Sequence, residues 1–105
     1  MIKKIIVICG LLTSANSFAA YTWNDAALIN SFQTISNGDG WYLETEAPLI
    51  NPANCSGSTK YAADRPEHAS IILMAMASGR AIRVAIHNTE CAFNKPKIER
   101  VFIEN

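Results

Sequence analysis

Few side chains in this 105-residue chain are equipped for chemistry, and their spacing limits what they can do. Two histidines, His68 and His87, and two of the three cysteines, Cys55 and Cys91, are donor types that zinc accepts. None of the four stands at the close paired spacing of a structural zinc site, so no metal is expected. Asn37 and Asp39 lack the alternating carboxylates and closing glutamate of a calcium loop. His87 and Glu90 would serve as a base and its partner, but no nucleophile motif accompanies either histidine. Glu44 and Glu46 share a strand face, yet they are too close together to define a glycosidase pair. The glycines at 38, 40, 57 and 79 each have a turn or cap role, and none forms a phosphate-cradling loop. The expectation is a non-enzyme without cofactors.

Phe93-Asn94-Lys95 is the more suggestive group. Sugars pack C–H faces on aromatic rings while amides and charged groups take their hydroxyls, so this triplet is a candidate ligand-binding site. A core-anchoring Phe in an ordinary polar turn is the competing reading.

The chain opens with Lys3 and Lys4, an apolar run from Ile5 to Leu12 and a small-x-small site at Ser17-Phe18-Ala19. This is the layout of a secretory signal peptide over residues 1–19, and its apolar run is too short to span a bilayer. Cys9 does not fit a lipoprotein site, because Ile8 precedes it and half of the apolar run would stay behind. Residues 20–105 then form a single small exported domain, periplasmic or secreted, with no transmembrane segment. Removing the two lysines leaves 7 basic against 9 acidic residues, which excludes a basic nucleic-acid footprint. So small a domain has a limited core. In an oxidising compartment the remaining Cys55 and Cys91 form one disulfide, contributing about 3 to 4 kcal/mol in the chain-entropy model. Asn54-Cys55-Ser56 matches a glycosylation acceptor, but the signal looks bacterial and the cysteine is bridged, so no sugar is expected there.

The elements that must position these residues follow from pattern. Tyr21 to Asp25 either tethers the terminus to a sheet edge or frays. Ala27 to Ser36 reads as a strand with a bulge, Asn37 to Gly40 as a turn, and Trp41 to Glu46 as the returning strand. Residues 47–63 are mainly loop, with Leu49-Ile50 or Thr59 to Ala62 able to form a short edge strand. A helix starts at Asp64, with Glu67 completing a capping box and Pro66 in the first turn, and stops at Gly79. Ala69, Ile72, Leu73 and Met76 form its core stripe. The stretch from His68 to Gly79 carries no carboxylate, lysine or arginine, so Ile71, Met74 and Ala75 make a second apolar face, a candidate oligomer surface. Ala81 to His87 alternates as a strand, Asn88 to Lys97 is a polar connection, and Lys97 to Glu104 is the last strand, antiparallel to the one before it.

The order of a hairpin, long loop, buried helix, strand, cysteine-bearing turn and strand, with Cys91-Ala92-Phe93-Asn94-Lys95-Pro96 in it, resembles the B subunits of AB5 bacterial toxins. The cholera and heat-labile enterotoxin type is the nearest in style, with subtilase cytotoxin B a second. The likeness spans residues 66–105 and implies an OB-type antiparallel barrel or sheet, mainly β with one central helix packed on it. It further implies an oligomer that binds cell-surface glycans, with Phe93 stacking and Asn94 and Lys95 hydrogen-bonding. Phe stands where that family carries Trp, one residue is missing before the lysine, and the family's N-terminal helix with its cysteine is absent. Two functions are therefore carried forward. One is an exported glycan-binding homo-oligomer of the toxin B-subunit kind; the other is a monomeric periplasmic structural or inhibitor-like protein.

Overall fold

The computed structural model describes residues 20–35 and 38–104. The signal-peptide reading and Asn37 lie outside them. Six strands form one open mixed sheet: β1 (Tyr21–Trp23), β2 (Ile29–Thr34), β3 (Trp41–Thr45), β4 (Tyr61–Ala63), β5 (Ile82–Ala92) and β6 (Lys95–Ile103), in spatial order β1-β5-β6-β4-β3-β2. One helix, α1 (Pro66–Ser78), connects β4 to β5 and packs against β6. Among the described residues, the mainly β architecture with a single helix matches expectation. The sheet ends in two free edges, β1 and β2, instead of closing into a barrel.

The sheet is built from two three-stranded halves. Hairpin β2–β3 pairs antiparallel with β4, and the expected bulge lies between Ile29 and Ser31. Hairpin β5–β6 takes β1 on its outer side, where Tyr21 faces His87 and Trp23 faces Ala85, so the N-terminal aromatics tether the terminus. The halves meet where Ala62 of β4 runs parallel to Lys97 of β6. That places the short strand of the long loop inside the sheet instead of on an edge. All three of its residues are buried, which its alanines and tyrosine permit.

Several stitches cross this seam. The Cys55–Cys91 disulfide joins the loop before β4 to the end of β5, with Cα atoms 5.9 Å apart. Asn51 holds Cys55 in place, its side chain accepting the Cys55 N–H and donating to the Cys55 carbonyl, both at 2.9 Å. Buried Asn24 follows β1 and donates through Nδ2 to the Tyr61 hydroxyl on β4 at 2.9 Å and to the Pro48 carbonyl at 3.0 Å. The Tyr61 oxygen also receives the Ile50 N–H at 3.0 Å. Beneath them lies a core of Leu43, Tyr61, Ala63, Ile72, Ala75, Ile82, Val84, Ile86 and Ile98.

The helix departs from the sequence reading in two ways. Arg65 occupies the cap position with no side-chain hydrogen bond, so the Asp64–Glu67 capping box does not form. Asp64 instead turns one carboxylate oxygen toward Lys97 at 3.7 Å and buries the other without a partner. The buried stripe is also rotated, to His68, Ala69, Ile72 and Ala75. Ala75 is fully buried and cannot belong to an oligomer surface, while Leu73, Met74 and Met76 are 54%, 62% and 42% exposed. Small alanines let the helix approach the sheet, and that sends the larger side chains outward. At the other end, Gly79 takes the left-handed conformation (φ 69°) as expected.

Residues 88–97 differ more. Where a polar connection was expected, β5 runs on to Ala92 and β6 starts at Lys95, leaving a two-residue turn. Its central residues, Phe93 (φ 52°) and Asn94 (φ 64°), both have positive φ, as a type I′ hairpin turn requires.

Two stability predictions follow from the stitches. Tyr61→Phe leaves the Asn24 amide and the Ile50 N–H without their acceptor and should cost about 1 to 3 kcal/mol by urea unfolding. Replacing both cysteines by alanine frees a link spanning 36 residues and should cost up to about 4 kcal/mol in the same measurement.

Candidate functional site

The turn at Phe93 and Asn94 projects from the end of the β5–β6 ribbon directly over the seam. Its placement is dictated by Cys91, which pairs with Pro96 two positions from the tip and is bonded to the neighbouring loop. That loop approaches closely: the Gly57 N–H donates to the Asn94 carbonyl at 2.7 Å. A Cβ on Gly57 would lie 2.8 Å from the Lys95 Nζ and 3.0 Å from the Asn94 oxygen, so only glycine leaves the lysine its place. The Lys95 ammonium rests 5.4 Å from the centroid of the Tyr42 ring on β3, a cation–π arrangement. Phe93 reaches toward the β2–β3 turn, where a Cβ on Gly40 would come within 3.0 Å of its ring edge.

Phe93, Asn94 and Lys95 therefore come together, with Tyr42, Gly40 and Gly57 as neighbours that the sequence did not identify. Phe93 is partly docked and 39% exposed, and the Asn94 side chain is exposed. An aromatic face, an amide and an ammonium thus lie side by side on a disulfide-braced tip. Such a surface can stack on a ring and donate hydrogen bonds. Nothing in the local sequence pairs Tyr42 with Lys95. Only the strand order does so.

The other chemistry-bearing residues are dispersed. His87 Nε2 lies 2.6 Å from Glu99 on β6, and Glu90 contacts Lys97 at 3.2 Å, so His87 and Glu90 do not form a base-and-partner pair. Glu44 pairs with Lys60 at 3.0 Å, and this hydrogen bond and charge hold its carboxyl below the usual range; Glu46 is exposed. Asp39 is exposed as well. Cys55 and Cys91 are joined to each other, and among the described residues no cluster of three or more His, Cys, Asp or Glu could hold a metal ion. Of the proposed oligomer face, Met74 is exposed and Ile71 is half-buried. Ile71 lines a cleft of about 340 Å³ at the start of α1 with Arg65, Glu67, His68, Glu99 and Arg100. Among the described residues, no helix is long and apolar enough to cross a membrane.

Comparison with protein-family models, with curated proteins and with solved structures finds no match for this chain.

The close approach at Gly57 is open to a direct check. In Gly57→Ala the new methyl displaces the lysine, and the side-chain protons of Lys95 should move downfield as they leave the Tyr42 ring. The disulfide-anchored fold should lose about 1 kcal/mol, because the lysine end is flexible while the Asn94 carbonyl at 3.0 Å must also give slightly.

Proposed function

We propose that this chain is an exported, non-enzymatic binding module that recognises glycan through Phe93, Asn94 and Lys95 and acts as a homo-oligomer, in the manner of a toxin B subunit. The observation that carries this reading is Phe93 itself, held at φ 52° in a tight turn. Asn, Asp or Gly suits that position, and a bulky aromatic there costs on the order of 1 kcal/mol in backbone strain. The strained residue keeps its ring partly exposed beside an amide and a lysine, which is the makeup a sugar face requires.

Other features support the remaining parts. The disulfide fits an oxidising compartment outside the cytoplasm. Leu73, Met74 and Met76, with half-buried Ile71 at their margin, give α1 an exposed apolar face of the kind subunits cover. The OB-type reading of the sheet belongs to the same proposal, with its two edges left open in the single chain.

Phe93→Asn separates binding from folding. It relieves the turn, so the unfolding midpoint should hold or rise, while affinity for glycans identified on an array should fall at least about tenfold, the loss of roughly 1.4 kcal/mol of stacking. Native mass measurement of the oxidised protein should show a homo-oligomer. A monomer that binds no glycan would overturn the proposal and leave the structural or inhibitor-like alternative in its place.

A further inference from the structure

We infer that the first turn of α1 is an acid-released latch: His68 of the helix, buried with one ring nitrogen unpartnered, shares a cleft with Glu99 of β6, the carboxylate that His87 of β5 already engages.

These are the only histidines in the chain; one contacts Glu99 and the other lines a cleft with it. His87 already holds Glu99 at 2.6 Å. His68 lies on the other side, lining with Glu99 the cleft between α1 and β6. It is 93% buried by its 7% exposure, and its Nδ1 is enclosed without a hydrogen-bond partner. A neutral imidazole tolerates that position; a charged one has two N–H donors to satisfy, and Glu99 across the cleft is already engaged by His87.

The remaining charges around His68 do not rescue the cation. On its own segment, Arg65 repels it, and the exposed N-terminal end of the helix dipole adds to the repulsion. Asp64 attracts it, with one oxygen turned toward Lys97 at 3.7 Å and the other buried without a hydrogen bond to the ring, and Glu67 is solvent-exposed. From β6, Arg100 lines the same cleft and opposes Glu99. Burial, reinforced by Arg65, accordingly pushes the His68 imidazole below its ordinary value, against the weaker pull of Glu67, Asp64 and Glu99. A group whose folded pKa is lowered stabilises the closed state above its ordinary pKa. That stability is lost as the pH falls below about 6.5 through the folded value.

The release is local. The C-terminal part of α1 keeps Ile72 and Ala75 in the core, and its left-handed stop at Gly79 holds no titrating group. The first turn has weaker holds, with the His68 and Ala69 N–H groups sharing the Arg65 carbonyl at 3.1 and 3.3 Å and no side-chain cap. In mild acid that turn lifts from β6 while the sheet stays intact.

Amide hydrogen exchange on the oxidised protein, corrected for intrinsic rates, tests this. Between about pH 7.5 and about pH 5.5 the amides of residues 68–71 should lose up to about tenfold in protection, the most that one ordinary imidazole can impose over that range. The amides of β5 and β6 should be unchanged. His68→Phe should abolish the pH dependence, and His68→Gln serves the same purpose should the ring crowd the site. If neither variant folds, the wild-type protein decides, because the loss of protection must begin near the ordinary imidazole value and level off where the His68 ring protons titrate by NMR. A uniform loss across helix and sheet, a pH-independent profile, or pH dependence that persists in the variants would overturn the latch.

Discussion

The structure depends on a seam. Two three-stranded halves meet where β4, three residues long, touches β6 through a single parallel register pair, Ala62 with Lys97. A parallel contact that short supplies little backbone hydrogen bonding, so cohesion must come from elsewhere. It comes from a covalent link at one end, Cys55 to Cys91, a buried polar knot at Asn24 and Tyr61, and the apolar core under α1. Each of these joins residues from both halves, and each is distant in sequence. The domain holds together because different kinds of interaction are laid across the same weak line.

The candidate site inherits its geometry from that line. Phe93 and Asn94 come from one half; Gly40, Tyr42 and Gly57 come from the other. A tip made by a two-residue hairpin alone would swing with its ribbon. Here the bonded cysteine one position before Ala92 and the Gly57 N–H on the Asn94 carbonyl fix it from both sides. The rigidity that serves stability is therefore what presents the aromatic ring, amide and ammonium as one surface, an arrangement suited to binding with little ordering cost.

Sequence patterns revealed the parts governed by local physics. The hairpin around Gly38 and Gly40, the bulge in β2, the helix up to Gly79 and the pairing of the two cysteines all rest on nearby residues or on parity, and all are present. The failures have tertiary causes. Asp64 and Glu67 spell a capping box, but Lys97 draws Asp64 away from the helix. Leu73 and Met76 fit the apolar stripe as well as Ala75 does, and only the sheet's closeness selects the smaller residue. Residues 88–97 look like a loop because they are polar and the turn lacks glycine; a phenylalanine at positive φ is not foreseeable from propensity. The triplet Phe93-Asn94-Lys95 was legible by composition, whereas Tyr42, Gly57 and Glu99 became visible only through strand order.

The position of β1 also constrains how the chain can fold. Thr22 bonds to Asn88, 66 residues further along, and Tyr21 pairs with His87. The β5–β6 ribbon, by contrast, closes through a two-residue turn and is entirely local. During synthesis the first strand thus emerges long before any surface it can pair with. Its aromatics, Tyr21 and Trp23, remain unpartnered until β5 is complete, and the arginines that finally cover them, Arg100 and Arg83, arrive with the last third of the chain. Loop-closure entropy places this pairing late, after the ribbon has formed. Among the described strand pairings this one closes the longest stretch of chain, and without β5 the aromatics of β1 have no strand to pair with.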